Sequence, residues 1–167
     1  MGNFRKFFII VVILFAIAAS YFSLGLQKPL VIWNTTSSLP KGFYKIEDGY
    51  TYGDIISFDI PENFYEIVKE RQWIPLYDRL LKRIVGMEGD EICIQNTTIF
   101  FNNKHFGKTS LTDSKNRPMP QLEGCHIVEK GYVWVMLKDN PLSLDSRYYG
   151  QVSEQIIYGK AVPIFQY

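Results

Sequence analysis

From Phe7 to Leu26 the chain runs twenty residues, FFIIVVILFAIAASYFSLGL, without a charge. As a helix that run spans about 30 Å, the thickness of a bilayer's hydrocarbon core. Arg5 and Lys6 stand directly before it. The positive-inside rule therefore predicts a cytoplasmic N-terminus over residues 1–6, a transmembrane signal anchor over 7–26 and a periplasmic domain over 28–167. The expected localisation is the inner membrane, single-pass. A cleaved signal peptide is the rival reading, because Ala16-Ile17-Ala18 resembles a cleavage site. The apolar run continues past that point, however, and exceeds a signal-peptide core in length.

Beyond residue 28 the pattern breaks into short apolar segments. LVIW (30–33) and DIISFDI (54–60) read as strands, with turns at Lys41-Gly42 and Asp48-Gly49 between them. Residues 61–72 are polar with apolar positions at Phe64, Ile67 and Val68, the spacing of a short helix opened by Pro61. Pro75 ends it, and a second helical turn is expected over Leu76 to Leu81. KRIVG (82–86), EICIQ (91–95), TIFFN (98–102) and YVWVML (132–137) read as strands. IIYGKAVPIF (156–165) reads as a last one, with Pro163 at an edge or bulge. Residues 102–126 are polar, carry Gly107, Pro118, Pro120 and Gly124, and read as an irregular excursion. The stretch 91–130 is expected to form a small excursion subdomain. The predicted fold is mainly β: an antiparallel sheet domain with one or two short helices, hung on an N-terminal transmembrane helix.

Composition adds little to exclude. Apolar residues make up 47% and aromatics 16%, enough for a core and against disorder. Beyond Lys6 there are sixteen basic and seventeen acidic residues, so electrostatics give no reason to expect nucleic acid. The two cysteines, Cys93 and Cys125, both fall in the exported part. An even count in an oxidising compartment favours a disulfide, with two buried free thiols as the alternative. A zinc site from Cys93, His105, Cys125 and His126 matches no common ligand spacing. No metal and no cofactor is expected.

The candidate chemistry centres on a serine. NTTSSLPKGFY (34–44) offers Ser37 and Ser38, which serve equally well as turn residues. A nucleophilic serine needs a base. His105 and His126 both lie in the excursion, and a Ser–His–Asp arrangement through His126 stays open, since triads assemble in space. The alternative base is a lysine desolvated into its neutral amine. Lys82 heads an apolar alternating segment, on one face with Ile84, while Arg83 and Val85 share the other. A lysine facing the core is costly and therefore informative. The bland reading is a Lys–Arg pair with both heads in water.

LLKRIVGMEGD (80–90) resembles the lysine box of type I signal peptidases, and PLSLDSRYYGQV (141–152) is similar to their Ser-x-Asp-Ser-Arg-x-x-Gly box. The stretch 34–44, with one residue between Ser38 and Pro40, resembles the serine box of the TraF-type proteases of conjugative transfer. So does the end YGKAVPIF (158–165), and the cysteine placement is similar to that branch. Leu39 departs from the usual methionine, and the stretch before Asp139-Asn140 lacks the glycine of the housekeeping peptidases.

The resemblance implies a catalytic dyad of Ser38 as nucleophile and Lys82 as general base, with Ser37 as filler. Ser143 and Asp145 are implied as supports of the lysine, Asp145 being ordered with Arg147. An oxyanion hole is implied at the Ser38 backbone N–H, with Thr36 as a hydroxyl donor. The implied activity is that of a serine endopeptidase processing a propilin or other preprotein at the membrane by acyl transfer, with hydrolysis or cyclisation as the outcome. Other conjugative transfer proteins are expected partners. A housekeeping signal peptidase and a non-catalytic membrane-anchored β assembly module are the alternatives.

Overall fold

Among the described residues beyond 30, strands hold far more of the chain than helices. A computed structural model describes residues 2–23, 28–75 and 79–167. The chain separates into two units, Met1–Leu30 and Val31–Tyr167. The first holds α1 (Gly2–Ser23). Among the described residues no helix is long and apolar enough to cross a membrane. The end of the expected anchor, residues 24–26, lies outside the described residues.

The second unit is built on two antiparallel sheets. The larger contains β1 (Val31–Asn34), β2 (Gly42–Glu47), β3 (Ile55–Phe58), β4 (Leu80–Gly86), β9 (Tyr132–Val135), β10 (Val152–Ser153) and β11 (Ile157–Gln166), in the order β1-β2-β11-β3-β4-β9-β10. The smaller contains β5 (Glu91–Gln95), β6 (Thr98–Phe101), β7 (Lys104–Lys108) and β8 (Gly124–Ile127), in the order β7-β6-β5-β8. Among the described residues two short α-helices, α2 (Glu62–Arg71) and α3 (Ser146–Tyr149), and a 3-10 turn at Glu154–Ile156 complete it. The mainly β, antiparallel reading holds.

Local signals explain the frame. Pro61 precedes α2, and Gln72 ends it in the left-handed conformation, its N–H returning to the Val68 and Lys69 carbonyls. Phe64 and Val68 face the core, where Phe64 lies against Trp73 and Tyr149. In β4, Lys82 and Ile84 do share the inward face, and Arg83 points out. Val85 does not follow Arg83 into solvent. The register against β9 shifts between Ile84 and Gly86, and the strand passes Val85 into a second core with Ile92, Ile94 and Trp134. Pro163 sits where β11 shifts register against β2, as its missing N–H requires.

Three expectations need correction. The strand β2 lies between the two predicted turns, its alternation carried by Tyr44 and Ile46 facing in. The second helical turn is not formed at its described end: Leu80 and Leu81 open β4, and residues 76–78 lie outside the described residues. The excursion 102–126 is more regular than expected, because β7 and the start of β8 fall within it. Those strands, KHFGK and GCHI, have weak patterns of their own and are held by pairing to β6 and β5. Cys93 and Cys125 face each other in that pairing and form a disulfide.

Gly42 fixes how tightly the larger sheet closes. It has φ +148°, and a Cβ there would stand 1.9 Å from the Phe165 carbonyl oxygen on β11. Gly42→Ala should therefore destabilise the domain by roughly 2–4 kcal/mol, measured by chemical denaturation, because β2 and β11 must part to admit one methyl.

Candidate active site

Pairing of β1 with β2 runs to Asn34 opposite Gly42, so residues 35–41 form the loop of a hairpin. Asn34 is buried and organises that loop from inside. Its Nδ2 donates to the carbonyls of Thr36, Leu39 and Pro40 at 3.3, 3.2 and 3.1 Å. Its Oδ1 accepts from the Thr36 N–H at 3.2 Å and the Thr36 hydroxyl at 2.8 Å. From outside, the Tyr44 hydroxyl donates to the Pro40 carbonyl at 2.7 Å and accepts from Gln166 Nε2 at 2.9 Å. The loop that presents Ser38 is thus held by side-chain bonds rather than by its own backbone. Asn34 and Tyr44 bound the serine motif in the sequence, where Asn34 sets the register of Ser38, but neither was given a role there. An asparagine entering a Ser/Thr-rich turn is a known local hydrogen-bonding signal, and it was available.

Ser38 and Lys82 meet. Lys82 is 3% exposed, and its Nζ lies 2.9 Å from Ser38 Oγ. The strand pairing that sets Lys82 opposite Ile56 turns its side chain inward beside Leu80 and Ile84. Burial lowers its pKa to about 8; the Asp145 carboxylate opposes that shift and the Arg147 guanidinium reinforces it.

Ser143, Asp145 and Arg147 are buried next in line. Asp145 caps α3 and is gripped by Arg147, Nε to Oδ1 at 2.8 Å and Nη2 to Oδ2 at 2.7 Å. Arg147 also donates to the carbonyls of Lys108, Leu137 and Asn140. Asp145 accepts the Leu137 N–H, and Ser146 accepts the Val135 N–H. One tripeptide therefore ties β9, the turn after it and the end of β7 together. The Ser143 hydroxyl is buried and makes no hydrogen bond among the described residues.

Ser38, Lys82 and Ser143 open onto a cleft of about 560 Å³, with Ile74, Leu80 and Leu144 in its wall. Another part of the wall is the segment around Asp113, which accepts from Trp73 Nε1 and Arg117 Nε at 2.9 and 2.7 Å. Burial would raise the Asp113 carboxyl, but the N–H groups of Arg117 and Trp73 hold it well below the usual carboxylate range. Among the described residues neither histidine lines the cleft: His105 is on β7 and His126 on β8, against Trp134. Glu91, Cys93 and Cys125 cluster as metal ligands would, but both sulfurs are consumed in the disulfide.

The arrangement suits proton transfer between a hydroxyl and an amine kept out of water, and it carries a stability cost. A lysine held at about 8 rather than the ordinary 10.5 disfavours the folded state by about 3 kcal/mol at pH 7, where the unfolded lysine is fully charged. Lys82→Met should therefore raise unfolding stability by about that amount at pH 7. The gain should shrink as pH rises from 8 toward 10.5, because the unfolded wild-type chain then loses the proton its folded form has already shed. Denaturation curves at pH 7 and pH 10 measure both effects.

The chain is 27% identical over 142 residues to the plasmid transfer protein TraF of Escherichia coli, covering 78% of this chain and 80% of that one. A signal peptidase I of Enterococcus faecalis V583 shares 24% identity over 70% of this chain and 98% of its own, with a TM-score of 0.41, too distant a likeness to add to the fold described above. The family model described as signal peptidase, peptidase S26, matches residues 2–166. Because that match spans nearly the whole chain, the protein belongs to the signal peptidase family, peptidase S26, a family of serine-type peptidases.

Proposed function

We propose that this chain is a membrane-anchored serine endopeptidase of a conjugative transfer system, which processes a propilin through acyl transfer by Ser38 and Lys82. The observation that carries the reading is the 2.9 Å approach of a buried lysine amine to a serine hydroxyl at the mouth of a cleft. Similarity to a plasmid transfer protein supports the biological setting. The uncharged run 7–26 after Arg5-Lys6 supports a single-pass anchor in the inner membrane. The N-terminus is then cytoplasmic, and the domain beyond residue 28 works in the periplasm.

In this mechanism neutral Lys82 takes the Ser38 proton as Ser38 Oγ attacks the scissile carbonyl. The Ser38 backbone N–H, joined by the Thr36 hydroxyl if it turns toward the substrate, stabilises the oxyanion; such a donor is worth about 3–4 kcal/mol. The Lys82 ammonium then protonates the leaving amine, and an ester to Ser38 remains. Water, or the amino terminus of the same substrate, attacks that ester while Lys82 accepts a proton again. The first route gives a linear product and the second a ring lighter by one water. Ser143, whose buried hydroxyl has no partner among the described residues, turns it to the lysine amine in this mechanism, and Asp145, fixed by Arg147, balances the ammonium when it forms.

Three outcomes follow for purified full-length protein acting on propilin. Ser38→Ala should lower processing on the order of 10⁵-fold, read by mass spectrometry of the pilin, while Ser37→Ala retains most activity. Lys82→Arg should be as inactive as Ser38→Ala, since a guanidinium stays protonated and cannot act as a base. The wild-type rate should rise with pH through about 8 as Lys82 loses its proton. A folded Lys82→Arg variant that still processes pilin would refute the dyad. A reporter fused after Tyr167 should be active only if it functions outside the cytoplasm.

A further inference from the structure

We propose that Asn34 and Thr36 act as positioning residues that turn the Ser38 hydroxyl proton away from Lys82 in the resting enzyme, and so set the pH at which the dyad engages. The inference rests on the Ser38–Lys82 reading.

The Asn34 amide has one workable orientation. Three carbonyl oxygens surround one end of it, those of Thr36, Leu39 and Pro40, so the NH₂ must be there. The oxygen end faces the Thr36 N–H, which requires an acceptor. Asn34 Oδ1 is therefore the atom 2.8 Å from the Thr36 hydroxyl, and an amide oxygen only accepts. Thr36 has a single hydroxyl proton, and this bond uses it. Toward Ser38, 3.2 Å away, Thr36 Oγ1 is left as an acceptor, and Ser38 supplies the proton. Ser38 Oγ can then accept from Lys82 Nζ at 2.9 Å. The chain runs Lys82 to Ser38 to Thr36 to Asn34, every bond in the same sense.

That sense is the wrong one for catalysis. A neutral Lys82 must receive the Ser38 proton, so the hydroxyl has to swing from Thr36 to Nζ. While Lys82 is charged, its bond to Ser38 is charge-assisted; once it is neutral, its N–H groups donate only weakly, and its lone pair competes with Thr36 for the one serine proton. By holding the serine proton, Thr36 keeps Ser38 Oγ as an acceptor and so favours the protonated lysine by the excess of a charge-assisted bond over a neutral one. Removing the Thr36 acceptor frees the serine proton for the amine lone pair and should lower the midpoint of Lys82 titration by about half to one pH unit, the worth of that difference. The charged groups acting on Lys82 are Asp145 and Arg147, from the segment opening α3. Lys41 of the serine loop, Arg79 before β4, Asp113 and Tyr148 also line the cleft. None of them changes in the variants used.

The test is a titration of full-length protein labelled with ¹³Cε-lysine, in detergent micelles, with the Lys82 signal identified by its loss in Lys82→Arg. Thr36→Val keeps the shape and removes the acceptor, and its Lys82 midpoint should move acid-ward by about half to one unit. Thr36→Ser restores the hydroxyl and should titrate like wild type. A Thr36→Val midpoint that coincides with wild type overturns the proposal. So does a fall in the high-pH plateau of propilin processing without a midpoint shift, which would make Thr36 a transition-state donor only. Failure of the dyad itself shows separately, as processing by Lys82→Arg.

Discussion

An ammonium group kept out of water is the constraint on which this structure turns. Lys82 lies on the central part of the larger sheet, between β3 and β9, where an aliphatic residue would cost nothing. The fold tolerates it because the surroundings are rigid and partly polar. The amine has Ser38 as a partner, and Asp145 lies close enough to offset some of the desolvation. The offset is incomplete, and the residue of that imbalance is a base available near neutral pH. A fully paired lysine would be more stable and chemically inert.

Asp145 is kept from pairing with the lysine outright by Arg147. A free carboxylate beside Lys82 would close a strong ion pair and keep the amine protonated. Gripped bidentately by a guanidinium with no exposure on either side, Asp145 acts on Lys82 at a distance. The same guanidinium collects carbonyls from three places in the chain, so one arginine both tempers the charge and fixes the floor of the cleft. Breaking such a buried pair by removing one partner costs on the order of 3–5 kcal/mol, which makes Arg147 as much a folding residue as a functional one.

Much of this was legible in the sequence, for physical reasons. Lys82 stood out because strand alternation put a charge where the core must be, and Pro163 because a strand cannot spend a missing N–H except at an irregularity. The strand β2 was hidden by its glycine and lysine, and by turns at both ends. Strands β7 and β8 were hidden because their stability comes from neighbours and not from their own residues. The turn of Val85 into the second core depends on a register shift that no period of two encodes. Within the site, reactive residues were easier to read than those that hold them: Ser38 carries its chemistry in its side chain, whereas Asn34 and Tyr44 matter through carbonyls whose positions only the folded loop defines.

The position of β11 has a consequence for when this molecule can act. In the sheet, the hairpin bearing Ser38 touches its neighbours only through β11, which lies between β2 and the β3–β4 pair bearing Lys82. Ser38 and Lys82 are thus clasped by a segment synthesised after both. Until residues 157–166 have been made and laid into that gap, serine and lysine belong to separate pieces of sheet. A half-made chain holds the two groups apart, and only the finished sheet brings the lysine amine to 2.9 Å from the serine hydroxyl.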